Sequence, residues 1–170
     1  MKIFLLIILL SISTFAQAFD AVVVKITDAD TIDFKHSDGN RDRARLIGID
    51  SPEVARSQKE IPQPYANVCR ELLETLLKGK IVKIETTKRD GYGRNLARVI
   101  LNDVDINLFI LNQGCAHLYY PNGIDANLRA SYENAFLAAK NARIGLFSRT
   151  RYVTPTVWRR KRHLKRIKTK

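Results

Sequence analysis

Ala21-Val22-Val23-Val24-Lys25-Ile26, then Thr31-Ile32-Asp33-Phe34, then Arg41 through Ile49: these three runs, in close succession, decide the fold. Each is β-branched or alternates apolar with polar residues, the period-two pattern of a strand with one buried face. Between them, Thr27-Asp28-Ala29-Asp30 and His36 to Asn40, with its Asp38-Gly39-Asn40, are turns by residue type. The result is a three-stranded meander, and two of its turns carry acids.

Downstream, Val54 to Gln63 is a polar loop with Pro62 and Pro64 near its end. Tyr65 to Lys78 then places Cys69, Leu72, Leu73, Leu76 and Leu77 at three- and four-residue spacing, which predicts an amphipathic helix stopped by Gly79. Ile81–Thr86 and Leu96–Leu101 read as a fourth and fifth strand around the turn Lys88–Arg94. A short helix is expected from Val104 to Gln113, an extended aromatic segment from Ala116 to Tyr120, and a break at Pro121-Asn122-Gly123. A last helix is capped by Asp125 and closed by Gly145. Five short strands, with a helix between the third and fourth, predict an α+β fold: a five-stranded OB-type β-barrel with about three helices.

Upstream, Met1-Lys2, the apolar run Ile3–Ile12 and Ala16-Gln17-Ala18 have the order of a signal peptide, residues 1–18, cleaved after Ala18. The apolar run is shorter than the roughly 20 residues that span a bilayer, which disfavours the alternative of an uncleaved anchor. Export, to the outside or to the periplasm, is the expected localisation. The domain is then residues 19–158. Of the chain's 170 residues, 29 are Lys or Arg and 17 Asp or Glu, for a net charge of +12. Much of that excess sits in residues 159–170, which hold eight cations and no acid. They are expected to form a disordered basic tail that contacts phosphate backbones or an anionic surface. Cys69 and Cys115 are either a disulfide, as export permits, or two buried thiols, and the residues alone favour neither. The three histidines are too scattered for a metal site.

Chemistry gathers at the ends of strands. Asp28-x-Asp30-Thr31, Arg45 with Asp50-Ser51-Pro52-Glu53, and Asp90-Gly91-Tyr92-Gly93-Arg94 lie on three turns that one barrel rim can bring together. They supply carboxylates for a hard cation, two arginines for phosphate and a further carboxylate to work on water. Asp50 with Glu53 also fits a glycosidase pair, but the flanking arginines favour an anionic substrate over a sugar.

This ordered set resembles the staphylococcal nuclease (thermonuclease) family, from Val22 to about Trp158. The resemblance implies Asp30 and Asp50 as side-chain ligands of a calcium ion, with the Ser51 carbonyl beside them and Asp28 as supporting charge. It implies Glu53 acting on the attacking water, Arg45 and Arg94 holding the scissile phosphate, Tyr92 donating to a neighbouring phosphate, and Tyr119 or Tyr120 stacking on a base. The implied activity is calcium-dependent hydrolysis of DNA and RNA with little sequence specificity, leaving 3′-phosphate ends, by a monomer with no obligate protein partner. Where the family usually has other residues, this chain has Ala29 for glycine between two acids, Ser51 for threonine, Gly91 for a basic residue that Arg89 is placed to replace, and Ala66 for glycine at the helix entry. The competing reading is a non-catalytic OB module that binds nucleic acid or an anionic surface.

Overall fold

The computed structural model describes residues 17–120 and 124–168. The expected signal sequence, apart from its last two residues, and the Pro121-Asn122-Gly123 break lie outside them. β1 (Gln17–Asp28) pairs antiparallel with β2 (Thr31–Lys35), and β2 with β3 (Arg41–Leu46). β5 (Ile81–Arg89) pairs antiparallel with both β1 and β6 (Asn95–Leu101). The parallel pairing of β3 with β6, Arg45 opposite Leu96, shuts the ring. This is the expected five-stranded OB-type barrel, with β7 (Val104–Asp105) added along β6.

The expected third strand, Arg41 to Ile49, breaks at Ile47. Beyond it, β4 (Gly48–Asp50) leaves the barrel and pairs with β8 (His117–Tyr119), placing Asp50 opposite His117 and Gly48 opposite Tyr119. Gly48 permits this because its φ is +83° and a Cβ there would come within 2.8 Å of the Tyr132 ring. Asp50 and the turn after it therefore sit on a short ribbon aimed across the barrel mouth.

Among the described residues there are four α-helices, rather than about three: α1 (Ala66–Leu77), α2 (Ile106–Asn112), α3 (Ala126–Asn141) and α4 (Pro155–Lys168). Asp105 caps α2 by accepting from Leu108 N at 3.0 Å, and Asp125 caps α3 by accepting from Asn127 N at 2.9 Å and Leu128 N at 3.1 Å. The barrel interior, with Val23, Ile32, Phe34, Leu46, Ile84 and Val99, is continuous with Leu73 and Leu77 of α1, Ile110 of α2 and Tyr132 of α3. Cys69 and Cys115 form a disulfide that ties α1 to the segment entering β8.

α4 corrects the expectation of a disordered tail. Residues 159–168 continue a helix that starts at Pro155, whose fixed φ suits a first helical position. No long apolar stripe announces this helix, because much of its docking is through ion pairs.

Candidate active site

The barrel mouth opens into a cavity of about 1060 Å³. Its lining brings together Asp28 and Asp30 from the β1–β2 turn, Arg45 from β3, Glu53 from the turn after β4, Tyr92 and Arg94 from the β5–β6 turn, and Tyr119 from β8. Three turns far apart in sequence thus meet at one place.

Arg45 is the hub. Its side chain is only 12 % exposed, and its guanidinium bridges Asp30 and Asp50, reaching Asp50 Oδ1 at 2.8 Å. Burial draws this guanidinium below the ordinary arginine range, and Asp50 opposes the shift. Asp30 also accepts from the Thr31 hydroxyl at 2.9 Å and from Ser51 N at 2.6 Å, which locks the β1–β2 turn to the turn after β4. Asp28, behind them, accepts from Val54 N at 3.4 Å. Burial and the neighbouring Glu53 carboxylate push Asp28 above the usual carboxylate range, and Arg56 at 3.8 Å partly offsets this.

Arg94 is organised from within its own turn. Asp90 accepts from Tyr92 N at 2.9 Å, Arg94 N at 3.0 Å and Arg94 Nε at 2.7 Å, so it shapes the turn and aims the guanidinium. Arg94 lies 5.4 Å from the centroid of the Tyr92 ring, itself 88 % exposed. Tyr120 does not join the cavity that Tyr119 lines: it lies just past the end of β8, and the Arg129 guanidinium sits 5.2 Å from its ring centroid. Ala29 keeps a negative φ, so glycine's freedom is not needed between the two acids. Arg89 does not stand in for a basic residue at Gly91, because it is committed to Asp42 and the Gly93 carbonyl.

Reading the residues in sequence missed four of the side chains that shape the site. Arg159 donates to both Asp50 oxygens at 2.9 Å and to Glu53 Oε1 at 2.7 Å. Thr156 donates to Asp50 Oδ2 at 3.2 Å, and Arg162 to Glu53 Oε2 at 3.2 Å. Burial pulls the Arg159 guanidinium down, but its bonds to Asp50 and Glu53 outweigh this and hold it above the ordinary arginine range. Gln63 receives the Glu53 N–H at 3.2 Å and donates to the Val153 carbonyl at 2.6 Å, fastening the Glu53 loop to the approach of α4. The available signal was the three-residue spacing Thr156, Arg159, Arg162, one face of any helix starting at Pro155.

A family model described as staphylococcal nuclease homologue matches residues 43–149. The chain belongs to the staphylococcal nuclease family. It is similar to an "uncharacterized endonuclease" of Escherichia coli O157:H7, 30 % identical over 141 residues that cover 82 % of this chain and 84 % of the relative. A thermonuclease of Staphylococcus intermedius is also 30 % identical over 141 residues, 81 % of each chain. An "uncharacterized endonuclease" of Haemophilus influenzae is 32 % identical over 138 residues, 81 % of this chain and 71 % of the relative. This staphylococcal nuclease relative is accordingly a nuclease acting on nucleic acid. α4 lies beyond the residues matched by the family model.

The donor set at the barrel mouth is all oxygen. Asp30, Asp50 and the Ser51 carbonyl are what a hard cation takes, and the buried Ser51 hydroxyl has no hydrogen-bond partner. Among the described residues no group of three or more His, Cys, Asp or Glu is arranged to hold a metal ion. A partial set of two carboxylates and a carbonyl fits calcium, which takes oxygen ligands and completes its coordination with water, although Asp30 and Asp50 are here held by arginines.

Proposed function

We propose that the chain is an exported, calcium-dependent phosphodiesterase that hydrolyses DNA and RNA with little sequence preference and leaves 3′-phosphate ends. The observation that carries this is the convergence of Asp30, Arg45, Glu53 and Arg94 on one cavity, with Asp50 directly behind Arg45. Asp30, Asp50 and the Ser51 carbonyl would hold calcium, which when bound supplies positive charge to a phosphate oxygen. Arg45 and Arg94 present planar forks that match two phosphate oxygens each and favour the more negative transition state. Glu53 takes a proton from the water that attacks phosphorus, and the bond to the 5′ oxygen breaks, that oxygen leaving as a hydroxyl with a proton drawn from water. Tyr119 offers its ring to any base, which suits unselective cutting of single or frayed strands, and Tyr92 meets a neighbouring phosphate. Asp28 keeps negative charge behind the ligands. The order of residues 1–18 supports export with cleavage after Ala18, and the cationic residues beyond Trp158 support added contact with phosphate backbone. A monomer suffices for this site.

The test is incubation of residues 19–170 with single-stranded DNA, with calcium or with a chelator. Cleavage should require calcium and fall by about 10²–10³ in Glu53→Gln and Arg94→Ala. Binding without cleavage under calcium would refute the enzyme reading in favour of the binding module.

A further inference from the structure

The carboxylate of Asp50 is fully engaged, and two of its three side-chain partners come from the far end of the chain. Arg159 forks across both oxygens at 2.9 Å each, Thr156 adds a bond to Oδ2, and Arg45 holds Oδ1 from the opposite side. With these groups in place Asp50 is only 1 % exposed. Arg159 also spans to Glu53, and Arg162 takes the other Glu53 oxygen before reaching Glu60 at 3.3 Å. Thr156, Arg159 and Arg162 form one stripe on α4, so much of the docking of this helix consists of hydrogen bonds to the carboxylates at the mouth.

A bidentate guanidinium uses the lone pairs that a metal ion would need, and two cations on one carboxylate repel each other. Arg45 belongs to a barrel strand and is fixed there. Arg159 rides on the terminal helix and is the partner free to leave. We propose that Arg159 and calcium are alternative occupants of Asp50, so that Arg159 sets the calcium concentration at which the site loads, and loading detaches the Arg159 face of α4. This rests on the calcium reading above. When a binding-competent state is only fractionally populated, the apparent affinity falls by that fraction. Releasing Asp50 from its fork should therefore raise calcium affinity by about tenfold or more.

The experiment titrates calcium into residues 19–170 and into Arg159→Met by calorimetry, while recording the emission of Trp158. This is the chain's single tryptophan, and it sits on α4 beside a small cavity lined by Gln63, Leu146 and Tyr152. Arg159→Met should bind calcium at least about tenfold more tightly. Arg159→Lys, which keeps the charge but loses the fork, should fall between. Calcium should shift Trp158 emission in the unaltered chain; in Arg159→Met it should already be shifted and ignore calcium. Equal or weaker calcium binding in Arg159→Met overturns the proposal and leaves the calcium reading standing. Tighter binding with Trp158 silent in the unaltered chain also overturns it, since charge removal alone would then explain the gain. No calcium binding in either protein brings down the calcium reading and the proposal with it.

Discussion

Reducing the Cys69–Cys115 disulfide perturbs the fold without changing its side-chain volume, which makes its effect calculable. The bridge spans 46 residues of sequence. Chain-entropy reasoning gives such a loop a stabilisation of about 4 kcal/mol. At a slope of about 2 kcal/mol per molar urea for a domain of this size, the unfolding midpoint should drop by about 2 M on reduction. Both sulfurs are buried, so the reduced thiols stay in an apolar setting and add little strain of their own. The assay is urea denaturation followed by far-ultraviolet circular dichroism, oxidised against reduced, with unchanged slopes. A loss below about 1 kcal/mol would refute the reasoning. It would mean that the unfolded chain already holds α1 near β8, or that the bridge strains the native state.

Three further outcomes follow from the site. Burial and Glu53 raise the Asp28 pKa on folding, so its ionised form opposes the fold; Asp28→Asn should stabilise the protein at pH 7, with the gain gone below about pH 3.8, where Asp28 is protonated whether folded or not. Thermal melts at pH 7 and pH 3 check this, and a gain that persists at pH 3 contradicts it. Tyr119→Ala should weaken single-stranded DNA binding about tenfold, because a stacked base is worth about 1–3 kcal/mol, whereas Tyr120→Ala should leave it unchanged; equal losses would put both rings on the substrate. Arg41 lines the cavity on the same face of β3 as Arg43 and Arg45. Arg41→Gln should reduce the salt slope of single-strand binding by about 0.7, as for one lost phosphate contact, and an unchanged slope would place the strand elsewhere.

The strands were legible because period-two alternation over Ala21–Phe34 marks one buried face, and the cap of α3 because Asp125 stands just ahead of an apolar-periodic run; Asp105, read inside a helix beginning at Val104, instead caps α2. The turns holding Asp30, Asp50, Glu53 and Arg94 were legible as strand ends. Legibility stopped where the decisive contact was tertiary. Gly48 reads as an ordinary strand residue until Tyr132 is packed against it. Tyr119 ends β8 and Tyr120 lies just beyond it beside Arg129, a difference that an aromatic pair in sequence does not reveal. The residues after Trp158 look like a solvated cationic tail because the acids that order them, Asp50 and Glu53, are more than a hundred positions away.

The parallel seam between β3 and β6 has one more consequence. Residues 44–46 meet 95–97 only when the ring shuts, and that same seam brings Arg94 to Arg45. A nascent chain that has emerged as far as β5 already owns Asp30, Arg45, Asp50 and Glu53, yet it has no second clamp and no cavity to hold a strand. The full set of groups at the mouth therefore belongs to the closed ring alone.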